Sequence, residues 1–169
     1  MSRMGTVAAV CVVAALAFAS TRLGAQDDAA REARDRAQID ELMWKYVRAL
    51  DTLSADAYAA NYTPDGAFGA TKGRDALKKM VGDLAARRAE AKAKGEPPPA
   101  PMFHVVTNPY LSFTDKDHAV MRAYWMTVFG AAGEKVPPRV AAAGRSIDHL
   151  VRVNGRWLIQ SRDVAPKEE

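Results

Sequence analysis

The sequence predicts an α+β fold, with helices in the first half and a curved antiparallel sheet, covered by helices on one side, in the second. Apolar residues recur at helical spacing up to about residue 94 and in strand-like runs from residue 102 onward. A stiff connector, Gly95-Glu96-Pro97-Pro98-Pro99-Ala100-Pro101, separates the two regimes. Late in the chain, Asn154-Gly155 between two apolar runs signals a tight hairpin.

Taken in order, Ile39, Leu42, Met43, Tyr46, Val47 and Leu50 fall on one helix face. Residues 26–37 ahead of them are charged and Ala-rich and read as a flexible lead-in. Residues 54–62 read as a short second helix with Ser54 as N-cap, and Thr63-Pro64-Asp65-Gly66 as a turn. A short apolar piece, Ala67-Phe68-Gly69, follows. The next helix, residues 74–94, buries Leu77, Met80, Val81 and Leu84, and its pattern then fades into Ala, Arg, Lys and Glu. Four strands complete the chain, over residues 102–113, 118–129, 139–153 and 156–164. Pro109 marks a bulge or an edge in the first of them, and Trp157 is a core anchor. There is no internal repeat and no Gly-rich phosphate loop.

The 169 residues suit one domain. Arg3 and an apolar run from Val7 to Ala19, too short for a comfortable membrane span, read as a signal peptide over residues 1–25. Cleavage would fall after Ala25, or after Ala19, and would leave a secreted or periplasmic protein with no membrane attachment. The domain then occupies residues 38–165 and a tail residues 166–169. Cys11 lies inside the leader, without a lipobox around it. The mature chain would have no cysteine, which excludes disulfides, thiolate ligands and a cysteine nucleophile. Removing residues 1–25 leaves 22 basic and 20 acidic residues, a balance that gives no reason to expect nucleic acid as a partner.

Asp51 lies four residues after Val47 and eight after Met43, so it continues the apolar stripe. It is either a helix-end carboxylate reaching back to water or a buried group needing a partner. His104 interrupts an apolar strand whose two faces both look covered. Alone it is a satisfied core histidine; opposite Asp51 it becomes half of a proton-transfer pair. Ser146, Asp148, Leu150 and Arg152 share the more polar phase of their strand and are candidates to line a cavity. Arg122 and Tyr124 share a phase on the preceding strand. No pair of histidines has metal-ligand spacing, so no metal site is expected.

These residues resemble the SnoaL-like branch of the NTF2-like superfamily. The resemblance rests on Ile39-x-x-Leu42 through Tyr46 to Ala49-Leu50-Asp51, on Tyr62-Thr63-Pro64-Asp65-Gly66 and on the Lys72-Gly73-Arg74 helix entry. His104-x-x-x-Asn108 and the closing Leu150-Val151-Arg152-Val153-Asn154-Gly155-Arg156-Trp157 extend it. It implies a cone, in which a strongly curved antiparallel sheet is closed by N-terminal helices around a pocket. In dehydratase and dehydrochlorinase members an Asp ending the first helix orients a His on the first long strand, and that His removes a proton as a leaving group departs. Asp51 and His104 fall on those positions. Tyr46 resembles a pocket tyrosine, Arg152 falls where the dehydrochlorinase motif has an arginine, and Ser146 stands where the scytalone dehydratase pattern has asparagine. Asn108 and Tyr124 complete the expected substrate-binding set. The implied function is a cofactor-free lyase or isomerase acting on a small apolar or aromatic molecule, in a dimer or trimer. The alternative is a non-catalytic periplasmic binding or assembly module.

Overall fold

The computed structural model describes residues 4–97, 99–131 and 136–167, with side chains from Gln26 onward. The side chains of the expected signal peptide and the last two residues of the tail lie outside the described residues. Among the described residues no helix is long and apolar enough to cross a membrane. Contacts divide the chain into Met1–Ala37 and Gln38–Glu169. In the first unit residues 26–37 are helical, as part of α1 (Met4–Asp51), and carry the pairs Asp28–Arg31 and Glu32–Arg36 at helical spacing.

The second unit contains the end of α1, then α2 (Ala55–Ala60), β1 (Tyr62–Phe68), β2 (Thr71–Lys72), α3 (Arg74–Ala93), β3 (Met102–Phe113), β4 (His118–Phe129), β5 (Arg139–Val153) and β6 (Arg156–Asp163). The six strands form one curved, unclosed sheet in the order β2-β1-β6-β5-β4-β3. Asn154 and Gly155, with φ of 51° and 76°, make the expected hairpin turn between β5 and β6.

The four long strands pair antiparallel, as expected, and β1 joins them running parallel to β6. One expectation is corrected here. The presumed turn at Thr63–Gly66 lies inside β1: its register slips between Tyr62, opposite Ile159, and Ala67, opposite Ser161. The turn-forming residues are absorbed as a bulge, in which the Thr63 hydroxyl donates to the Asp65 carboxylate at 3.0 Å. Gly66 is needed there for space. A Cβ on it would come within 2.9 Å of Tyr62 Cβ and 3.0 Å of the Ile159 carbonyl oxygen. Gly66→Ala is expected to cost ~1–3 kcal/mol through overpacking, seen as a lower urea midpoint at unchanged slope.

Helix ends also differ in detail from the sequence reading. Ser54 precedes α2 but makes no side-chain cap; its carbonyl accepts from Tyr58 N–H instead. The buried face of α3 stops at Val81, and Leu84 is exposed. The Arg74 guanidinium at the start of α3 donates to the Tyr62 carbonyl, which ties that helix to β1.

The core fills one face of the sheet. Ile39, Met43, Tyr46 and Val47 of α1, Tyr58 of α2 and Leu77 and Val81 of α3 cluster with Ala119, Met121, Leu150, Trp157 and Ile159 from the strands. Trp157 is buried, as expected of an anchor. The opposite face carries exposed Tyr110 and Tyr124 and no helix residue of that cluster. β3 is a sheet edge, and its register slips between Thr107 and Tyr110, around Pro109 and an Asn108 at φ 51°. Pro109 therefore sits at both a bulge and an edge.

Candidate functional site

The last turn of α1 delivers a carboxylate to the edge strand. The stripe Met43–Val47 continues one turn further to Asp51, whose side chain is 8% exposed. On β3, His104 and Val106 pair with Thr127 and Trp125 and face the core, while Phe103 on the other phase is 45% exposed. The expectation that both faces of this strand are covered is thus wrong. Phe103 is large and apolar, so periodicity alone could not tell an uncovered face from a buried one.

Asp51 Oδ1 accepts two hydrogen bonds from His104: one from the backbone N–H at 2.9 Å and one from Nδ1 at 2.8 Å. The first follows from β3 being an edge, because an N–H there has no neighbouring strand to bond. The second fixes the tautomer. A carboxylate only accepts, so Nδ1 carries the proton and Nε2 keeps its lone pair. Asp51 thereby fastens the end of α1 to β3 and orients the imidazole together.

His104 borders a cavity of about 210 Å³, which Tyr46, Leu50, Val106, Trp125, Met126 and Arg162 line with others. That volume lies below the ~300–1,000 Å³ usual for drug-sized ligands, so it suits a small molecule. His104 and Val106 also border a second, wider recess of about 370 Å³ between α1 and β3, where Trp44 is exposed.

Beside Tyr46 lies a charge pair that the sequence reading missed. Arg162, 2% exposed, places Nη1 2.7 Å from both oxygens of Asp148, which is fully buried. Ser146 Oγ donates to Asp148 at 3.2 Å. The Arg162 guanidinium carbon is 4.8 Å from the centroid of the Tyr46 ring, and Nε has no hydrogen-bond partner. Burial pushes the Asp148 carboxyl up to about 6, against the opposing pull of the Arg162 charge. Burial disfavours the Arg162 cation, but Asp148 together with Tyr46 and Tyr62 outweighs it and holds the guanidinium charged. Burial likewise raises the Tyr46 phenol, so it remains a neutral donor at physiological pH. Tyr58 and Tyr62 stand behind it, sharing a hydroxyl–hydroxyl bond of 3.0 Å.

A bulge hid Arg162. Leu150 pairs with Ile159 but His149 pairs with Ser161, so Gln160 is an extra residue on β6. Strict alternation from Trp157 and Ile159 would put Ser161 inside; the bulge puts Arg162 there instead. A buried acid on the facing phase, Asp148, was the available signal that a cation had to be near.

The other expected site residues lie apart from this cavity. Asn108 and Tyr124 line a depression with Tyr110, Arg122 and Arg145, which pair across the strands on the face away from the helices. Ser146 is buried and acts on Asp148, while also bordering that depression. Arg152 is at the far end of β5, where it donates to the Lys116 carbonyl, faces Asp117 and stacks 4.8 Å over Trp157. Its phase was right, but its position along the strand takes it away from His104. Among the described residues no group of three or more His, Cys, Asp or Glu is placed to hold a metal ion.

A curved, unclosed sheet with helices over one face and a cavity between them defines an NTF2-like, or cystatin-like, α+β protein. The chain belongs to the SnoaL-like domain family, whose model matches residues 31–163. Solved structures share the fold. An NTF2-like protein with a cystatin-like fold from Novosphingobium aromaticivorans has 21% identity and a TM-score of 0.66, over 88% of this chain and 90% of that one. ActVI-ORFA from Streptomyces coelicolor has 22% identity and a TM-score of 0.63, over 77% and 95%. A protein from Catenulispora acidiphila, solved in complex with S-DNPA, has 21% identity and a TM-score of 0.60, over 77% and 91%. No curated protein matches the chain.

Proposed function

We propose that this protein is a lyase or isomerase that moves a proton on a small, largely apolar or aromatic molecule, using its own side chains and no cofactor. The observation that carries the reading is the 2.8 Å Asp51–His104 bond at the wall of a small cavity. His104 Nε2 takes a proton from a substrate carbon. The released electron pair either forms a double bond as a leaving group departs from the adjacent carbon, or spreads onto a carbonyl oxygen. Asp51 stabilises the imidazolium that forms. Tyr46 and Arg162 are the groups that can receive developing negative charge, the first as a neutral donor and the second as a buried cation. The SnoaL-like family and the relative solved with a small ligand support a small molecule as the partner.

The test is deuterium wash-in. A panel of cyclic ketones and β-hydroxy ketones is incubated in D2O with the protein, and exchange or elimination is followed by NMR. His104→Ala is expected to slow the reaction by ~10²–10⁴-fold while the urea midpoint stays near wild type. Full activity in that variant would refute the assignment. Undiminished binding of a ligand that neither protein turns over would favour a binding module.

A further inference from the structure

We infer that Trp125 and Gly144 together set the size of the molecule this cavity accepts. The inference rests on reading the cavity as the ligand site, but it concerns binding and not proton transfer.

Trp125 on β4 and Gly144 on β5 are direct cross-strand partners. Trp125 lines the cavity beside His104's neighbour Val106, its own partner on β3. Its indole lies against Gly144. A Cβ built there would be 2.9 Å from Cζ2 and 3.0 Å from both Cε2 and Nε1. Only a residue with no side chain leaves the ring that close to the sheet.

The ring is also held at its polar edge. Nε1–H is shared between the Arg145 carbonyl at 3.0 Å and the Val164 carbonyl at 2.9 Å. Val164 follows the end of β6 and itself lines the cavity. The indole therefore reaches from β4 across β5 to the segment after β6, and the two carbonyls fix its orientation. It forms part of the cavity wall because Gly144 lets it lie flat.

A methyl at position 144 must displace something. Gly144 is held in the β4 ladder opposite Trp125, between the pairs Arg145–Tyr124 and Ala143–Met126, so its backbone resists on that side. The indole is the part that can move, and the cavity is the open space beside it. Gly144→Ala should shrink the cavity, and a smaller side chain at 125 should enlarge it. Neither residue touches the Asp51–His104 bond, so the two determine which molecules fit rather than how a proton is moved.

Binding of phenol, 2-naphthol and 2-hydroxyanthracene, measured by calorimetry on the full chain, tests this. The titrations are run in the wild type and in His104→Ala, so loss of the proton-transfer reading leaves the size rule readable. In Gly144→Ala, 2-naphthol is expected to bind at least about tenfold more weakly while phenol changes by less than about threefold. Trp125→Leu should admit 2-hydroxyanthracene at least about tenfold better relative to phenol. In the Trp125→Leu background, adding Gly144→Ala should have little further effect, because the clash is gone. The chain has three tryptophans, and the indole N–H resonance of Trp125 should shift in Gly144→Ala. Binding that ignores both substitutions, or falls equally for all three probes, overturns the size rule alone. No saturable binding by the wild type overturns the cavity reading and the size rule with it. If Gly144→Ala fails to fold, the Trp125→Leu ratio decides.

Discussion

Asp148→Ala is expected to destabilise the protein by ~3–5 kcal/mol, the range for breaking a buried ion pair from one side. Arg162 is 2% exposed and would lose both of its 2.7 Å contacts. Ser146 would lose its acceptor in the same step. The loss measures an abandoned cation rather than the net value of the pair, and a second variant separates the two. Asp148→Ala combined with Arg162→Met removes both charges and should recover most of the stability, since an apolar replacement of a buried pair is often neutral. Urea unfolding of the single and double variants supplies the comparison. A single variant within ~1 kcal/mol of wild type would mean that Arg162 finds water or another acceptor, contrary to the burial described above.

The same pair makes stability depend on pH in an unusual direction. Burial raises the folded-state Asp148 carboxyl from the ordinary 3.8 to about 6. Across that window the folded protein holds the proton that the unfolded chain has released. The contribution of Asp148 to stability is therefore greatest below about 3.8 and is lost as pH rises through about 6. Most acid-labile proteins owe their behaviour to carboxylates shifted the other way. The Asp148→Ala/Arg162→Met variant should lack this component.

What the sequence made legible follows from what each residue type constrains. The bounds of β3, β4 and β5 were readable because Pro-rich and turn segments flank long apolar runs. Asp51 and His104 were readable because each breaks an apolar pattern on an element that must face the core. The parallel β1–β6 pair was not, because β1 is written with turn-forming residues that the fold absorbs as a bulge. Arg162 was hidden for a related reason: one extra residue at Gln160 inverts the phase of β6 beyond it. Tyr124 lies on the far face because strand phase does not say which face of a sheet the helices cover. Asn108, in phase with His104, is carried off the cavity face by the register slip between Thr107 and Tyr110. For β1, Asn108 and Arg162, period-two reasoning holds within a regular stretch and fails at the irregularity.

Asp51→Asn is expected to slow proton transfer by ~10²–10⁴-fold, with the fold retained. The geometry makes this substitution informative. Both donors from His104, the backbone N–H and Nδ1–H, converge on the one oxygen Oδ1. An amide that turned its NH2 toward them would meet two donors, so the asparagine oxygen stays in place and the histidine tautomer with it. What the substitution removes is the negative charge. An imidazolium beside a neutral amide lacks the counter-charge that the carboxylate supplies, so the loss should fall on kcat, with KM little changed. A purely structural role for Asp51 predicts a different pattern: a lower urea midpoint and activity that returns under stabilising conditions. Measuring kcat, KM and the unfolding midpoint on the same preparation distinguishes them. If kcat stays near wild type while stability is unchanged, the carboxylate charge plays no part in moving the proton, and the proton-transfer reading fails at its central pair.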